Sequence, residues 1–191
     1  MKLKKIGAFF ADLMETVVVS LSIFLIVYLF FMQPHQVNGE SMVPNFQNGD
    51  YVLTDKISYK MGNPKRGDVI VFHAPASAKC VEGTGCDFIK RILGLPGETI
   101  EVRNGSIFIN GELLPEEYLP ADFKTSPGAY TANGPVTLGV DQYLAVGDNR
   151  DHSSDSRTWG PVSKSEIVGK AFFRYWPADS INSISGVNYS F

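Results

Sequence analysis

Hydrophobic and polar positions fall into three regimes along this chain. From Thr16 to Met32 (TVVVSLSIFLIVYLFFM) seventeen residues pass without a charge. They are apolar on every side rather than along one stripe, so a helix here has no polar face for water. At 1.5 Å per residue it spans roughly 26 Å, close to a hydrocarbon core of about 30 Å. From Tyr51 to Tyr175 the apolar residues come instead in short β-branched or aromatic runs bounded by Gly, Pro, Asn and Asp, the pattern of strands joined by turns. After Pro177 the chain turns polar and rich in Ser and Asn, which predicts an extended or frayed tail.

The middle regime predicts its elements individually. Tyr51–Thr54, Asp68–Phe72, Phe88–Leu93, Thr99–Val102, Gln142–Val146 and Ile167–Tyr175 read as strands. Gly94-Leu95-Pro96-Gly97 reads as a turn. Asn104-Gly105 and Asn110-Gly111 are two-residue hairpin signals. Together they predict a three-stranded meander over Thr99–Leu114. Pro115–Pro135 reads as a loop excursion, and Ser163–Ile167 as at most one helical turn. The expected fold is mainly β: an N-terminal transmembrane helix, then an antiparallel β-sheet domain. Residues 1–33 form the cytoplasmic end and anchor, 34–177 a β-rich domain with a small excursion at about 103–140, and 178–191 a tail.

Charge sharpens this picture. Lys2, Lys4 and Lys5 precede the apolar stretch, Asp12 and Glu15 sit near its start, and the next twenty residues carry no Lys or Arg. The positive-inside rule then places the N-terminus in the cytoplasm and the remainder outside. A cleaved signal peptide usually has an apolar region of about 7–15 residues, shorter than this one. A buried core helix fits poorly beside three flanking lysines. The whole chain has 17 basic and 20 acidic residues, net −3; beyond residue 33 the count is 14 against 18. That balance disfavours a nucleic-acid partner, and 44% hydrophobic content excludes disorder throughout. Cys80 and Cys86 lie in the outer part, where a bridge would be worth about 2 kcal/mol. A zinc site would need two further ligands, and His73 is the one nearby candidate.

Three polar segments interrupt the apolar pattern. Ser41 lies in Gly39-Glu40-Ser41-Met42-Val43-Pro44, just beyond the apolar stretch. Lys90 shares a predicted strand face with Phe88 and Ile92. An ammonium there is costly unless it is paired or snorkels. It fits an edge-strand gatekeeper as well as a lysine made basic by burial. Gly147–Arg157 (GDNRDHSSDSR) is too polar for a simple turn, and lacks the Gly and Glu that a calcium loop requires. Within it, Asp155 and Arg157 are placed to pair.

Taken in order, these segments resemble the boxes of bacterial type I signal peptidases, in the single-span form typical of Gram-positive bacteria. The matching stretches are Ser41–Pro44, Arg66–Phe72, Ile89–Glu98, Gly147–Gly160 and Val168–Arg174. The resemblance implies a serine endopeptidase with Ser41 as nucleophile and Lys90 as general base, with no cofactor and no metal. It implies that Ser153 hydrogen-bonds the lysine, and that Asp155, Arg157, Asp148 and Arg91 support the site. The Ser41 N–H would serve the oxyanion. Gly39 stands where Gram-negative relatives place a hydroxyl, so a second donor would have to be a backbone N–H. Asn45 and His152 also depart from the usual residues. The implied substrate is the signal peptide of an exported preprotein, cut after an Ala-x-Ala pattern. Met42, Pro44 and Ile89 are expected at the substrate, with Met42, Val43 and Phe46 also able to rest on lipid. The bilayer and the secretion translocon are the other partners implied. Three alternatives stay open at this point: a histidine base (His73 or His152), a silent peptide-binding scaffold, and a related peptidase with one dedicated client.

Overall fold

The computed structural model describes residues 2–78, 87–187 and 189. The Cys80–Cys86 segment lies outside the described residues, and so does the question of its bridge.

Helix α1 runs from Lys2 to Phe30. Its stretch Phe9–Phe30 has a mean hydropathy of 2.3 and is wholly unburied by the rest of the chain. Those 22 residues reach roughly 33 Å as a helix. The hydroxyls within it are satisfied locally, Thr16 Oγ1 on Asp12 O at 2.9 Å and Ser22 Oγ on Val18 O at 2.8 Å. The helix ends earlier than the uncharged run, because Met32 already belongs to strand β1 (Met32–Gln36). Backbone pairing with β2 (Tyr51–Asp55) claims it, in the register Met32↔Asp55 through Gln36↔Tyr51. The β domain therefore starts at Met32, two residues inside the segment expected to belong to the anchor.

The larger sheet is antiparallel. It contains β3 (Val69–His73), β4 (Asp87–Gly94), β9 (Gln142–Val146), β10 (Val162–Ser163) and β11 (Ile167–Trp176) in the order β1-β2-β11-β3-β4-β9-β10. The smaller sheet holds β5 (Thr99–Arg103), β6 (Ser106–Ile109), β7 (Glu112–Leu113) and β8 (Val136–Thr137), ordered β7-β6-β5-β8. Its first three strands are the meander expected from the two Asn-Gly pairs. Asn104, Gly105, Asn110 and Gly111 all have positive φ, between 52° and 88°, as a two-residue turn matching the strand twist demands.

Alternation and burial agree with this architecture. In β2, Val52 and Thr54 point inward while their neighbours are half-buried. Val69–Phe72 of β3 is buried on both faces, which accounts for its unbroken apolar run. The smaller sheet packs Ile100, Ile107 and Ile109 against Leu93, Leu144 and Val146 of the larger one, so the excursion shares its core. Within the described part of the tail, β12 (Asn182–Ser183) is extended and pairs with Phe173 and Arg174 of β11. Further on, the Val187 backbone lies so close to Gly67 that a Cβ there would come within 2.5 Å of the Val187 carbonyl.

Candidate active site

The site forms where β4 loses a neighbour. β4 pairs with β3 over Asp87–Arg91, but with β9 only from Arg91 onward. Among the described residues Asp87–Lys90 is thus an open strand edge. A cleft of about 540 Å³ runs beside it, lined by Ile89, Phe88, Val52 and Val71, with Ser41 and Lys90 in its wall.

Ser41 sits in a turn held from both sides. Gly39 N–H donates to Asn48 Oδ1 at 2.8 Å. The carbonyls of Glu40 and Ser41 accept from Asn149, through its side chain and its backbone N–H, both at 3.0 Å. Met42 anchors the turn from below. It is fully buried against Val37, Phe46, Val52, Val69 and Ala171. This corrects two expectations. Met42 does not line the cleft, and neither Met42 nor Phe46 is available to lipid, because both are used to fill the core. Pro44 is exposed and also stands outside the cleft; Ile89 alone of the three expected substrate contacts lines it. Met42→Ala is expected to cost about 2–4 kcal/mol, read as a lower Tm with Ser41 displaced.

Lys90 Nζ lies 2.7 Å from Ser41 Oγ, and 3.0 Å from the Ile89 carbonyl. The residue is 4% exposed, with the Phe88 ring 5.3 Å from the nitrogen. Burial lowers its pKa from 10.5 to about 8, against weaker upward pulls from Asp155 and Asp148. Those pulls stay weak because each carboxylate is already claimed by an arginine. Asp148 takes the Arg91 fork through Nε at 2.9 Å and Nη2 at 2.7 Å. Asp155 takes Arg157 Nε and Nη2, both at 2.8 Å, and caps the one-turn helix Ser156–Trp159 through the Arg157 N–H. Both carboxylates are wholly buried. No carboxylate forms a salt bridge with Lys90 among the described residues, so the desolvation of its charged form outweighs the two upward pulls.

Gly147 is required by proximity. A Cβ on it would come within 2.2 Å of Ser153 Oγ and 2.5 Å of the Ser41 carbonyl. Ser153 is thus beside Ser41, but its hydroxyl is buried with no hydrogen-bond partner. The implied bond to Lys90 is not formed, because the amine is turned toward Ser41 and Ile89. The Ser41 N–H makes no hydrogen bond among the described residues, whereas the Gly39 N–H is occupied by Asn48.

The two histidines weighed as bases, His73 and His152, are not at Ser41. His73 is 67% exposed and bonded to Asp87 at 2.6 Å; His152 is exposed. Neither contacts Ser41, whose side-chain partner among the described residues is Lys90.

The Pro115–Pro135 loop supplies residues that sequence reasoning missed. Glu116 grips Arg150 with both carboxylate oxygens, and Tyr118 and Thr125 add hydroxyl acceptors to the same guanidinium. Arg150 in turn donates to the Gly147 carbonyl at 3.1 Å. Asn45, noted only as a departure, bridges Asp148 Oδ2 at 2.9 Å and the Tyr118 carbonyl at 3.3 Å. A run of acids, Glu116, Glu117 and Asp122, in a turn-rich loop was the one signal available for these contacts.

Comparison with known proteins gives the family. A family model described as "Signal peptidase, peptidase S26" matches residues 10–176. The chain belongs to that family. It is 36% identical over 174 residues to a probable signal peptidase I-2 of Synechocystis sp., covering 91% of this chain and 77% of that one. It is 34% identical over 174 residues to signal peptidase IB of Staphylococcus aureus, covering 85% and 87%. The crystal structure of a signal peptidase I from Enterococcus faecalis is 30% identical, with a TM-score of 0.46, over 57% of this chain and 97% of that one. The peptidase is thus a type I signal peptidase of bacterial kind, a serine-protease hydrolase whose substrates are the signal peptides of preproteins.

Proposed function

We propose that this peptidase cleaves by a Ser–Lys dyad, with Ser41 as nucleophile and Lys90 as its general base. The observation that carries the reading is the 2.7 Å contact between the two side chains, made by an amine whose burial lowers its pKa to about 8. In the neutral form, Lys90 Nζ takes the proton from Ser41 Oγ as the oxygen attacks the scissile carbonyl. The tetrahedral oxyanion points to the free Ser41 N–H. The Lys90 ammonium then protonates the departing amine, leaving an acyl-enzyme on Ser41. Water, deprotonated by the same amine, releases the signal peptide. Asp148, Asp155, Arg91 and Arg157 hold the backbone that carries this chemistry, and the two carboxylates pull weakly upward on the Lys90 pKa.

An extended signal peptide is read as an added strand along the open edge Asp87–Lys90, with small side chains at the first and third positions before the bond facing Ile89, Val52 and Val71. Helix α1 is the anchor, N-terminus in the cytoplasm, and delivers the domain to the outer membrane surface, where the translocon releases its clients.

The base form of Lys90 dictates the pH response. Its pKa is depressed, so the amine is protonated and inactive below about 8 and neutral above it. kcat/KM is expected to rise about tenfold per unit below that point and level off above it. A profile measured on detergent-solubilised protein tests this. A break near 6.5, the usual value for histidine, would overturn the lysine assignment.

A further inference from the structure

Tyr118, in the loop after β7, touches all three segments that build the site while standing outside the cleft, in the wall of a separate recess. Its ring lies against the guanidinium of Arg91, the residue after Lys90 on β4, with the central carbon 4.3 Å from the ring centroid. Its carbonyl accepts from Asn45 Nδ2 at 3.3 Å, four residues beyond Ser41 in the chain. Its hydroxyl donates to Glu116 Oε1 at 2.7 Å and accepts from Arg150 Nη2 at 2.8 Å. Arg150 in turn holds the Gly147 carbonyl.

Two of these contacts converge on one carboxylate. Asp148 accepts both the Arg91 fork and Asn45 Nδ2. Arg91 Nη1 donates to the Gly67 carbonyl at 3.0 Å, and the Tyr118 ring covers the face of the guanidinium. A guanidinium is attracted to an aromatic face by the ring quadrupole, most strongly where water is excluded. Without the ring, Arg91 has room to leave the fork. Asp148 then faces Lys90 less balanced, and it already pulls that amine toward its charged form.

The other groups facing Tyr118 and Lys90 are engaged with one another. Glu116 and Arg150 face the phenol as a bonded pair, with Tyr189 of the C-terminal segment beside them. Asp155 faces Lys90 but is bonded to Arg157. Burial raises the Tyr118 phenol pKa well above its ordinary value of 10, so the phenol stays neutral where the enzyme works. The Arg91–Asp148 pair is therefore the route by which the ring reaches the dyad.

We propose that Tyr118 is a positioning residue for cleavage, its ring holding Arg91 on Asp148 beside Lys90 while its carbonyl ties the Ser41 segment to the same cluster through Asn45. The proposal rests on the dyad reading. Cleavage of one preprotein by the full-length protein in detergent is followed against pH for the unaltered protein and its variants. Tyr118→Leu removes the ring and is expected to lower kcat about tenfold by misalignment, with KM unchanged because Tyr118 is outside the cleft. The break in its kcat/KM profile is expected to move up by about half a pH unit, since a less balanced carboxylate favours the charged lysine. Tyr118→Phe keeps the ring, and Glu116 still grips Arg150 with both oxygens. This variant is expected to keep the original break and a kcat within about twofold of the unaltered protein. Where Leu gives no folded protein, the ring-less and more adaptable Tyr118→Met is read in its place. A purely structural role lowers the rate alike at every pH and leaves the break where it was. An unmoved break in the ring-less variant, or an equal shift in Tyr118→Phe, overturns the proposal and leaves the dyad intact. A break near 6.5 in the unaltered protein overturns the dyad reading itself.

Discussion

Lys90→Ala is expected to lower kcat/KM for preprotein cleavage by about 10⁴-fold or more, the scale seen when one member of an interdependent catalytic set is removed. Lys90 lies within a regular strand pair, Ile70↔Lys90, so alanine leaves the backbone as it is. It also removes an amine whose charged form the site desolvates, which relieves folding rather than burdening it. Activity should therefore vanish while Tm holds, and this separates chemistry from collapse. His73→Ala and His152→Ala serve as the contrast. Both residues are exposed and neither side chain bonds Ser41, and each variant should keep most of the activity. Cleavage by Lys90→Ala within tenfold of the unaltered protein would sink the dyad.

The second large effect is on stability. Asp148→Ala leaves Arg91, itself 4% exposed, without the carboxylate that accepts its fork. Breaking a buried ion pair from one side costs about 3–5 kcal/mol, a large share of the roughly 5–15 kcal/mol that holds a domain folded. Tm should fall by roughly 10 °C. Cleavage should weaken as well, since Asp148 also accepts from Asn45 and so joins the Ser41 segment to the strand bearing Lys90. Asp148→Asn keeps one acceptor for Arg91 and should cost less. A Tm for Asp148→Ala within 2 °C of the unaltered protein would show that Arg91 is held by Gly67 O and the Tyr118 ring instead.

What could be read from the sequence followed from local rules. The Asn-Gly pairs announced the meander because a left-handed turn needs those residues. Lys90 stood out because a cation on an apolar strand face demands a reason, and the structure supplies Ser41. Asp155 and Arg157 are two residues apart and pair as their spacing allows.

Long-range partners could not be read in the same way. Asn45 meets Asp148 across 103 positions, and Arg174 meets Asp50 across 124. Nothing local tells Glu116 that its partner is Arg150. Met42 was misread because an apolar residue beside a nucleophile suits a substrate wall and a core equally; only the packing of Val37, Val52 and Ala171 over it decides. Met32 was misread because an uncharged run hides the point where strand pairing takes over from the helix.

The central claim is that Ser41 is activated by a lysine made basic at accessible pH by burial. The most direct measurement is the titration of that lysine in the full-length protein in detergent, labelled with ¹³C at the lysine ε-carbon. The resonance that disappears in Lys90→Met identifies the group. A midpoint near 8 is the result the account predicts. A midpoint near 10.5, the ordinary lysine value, would contradict it.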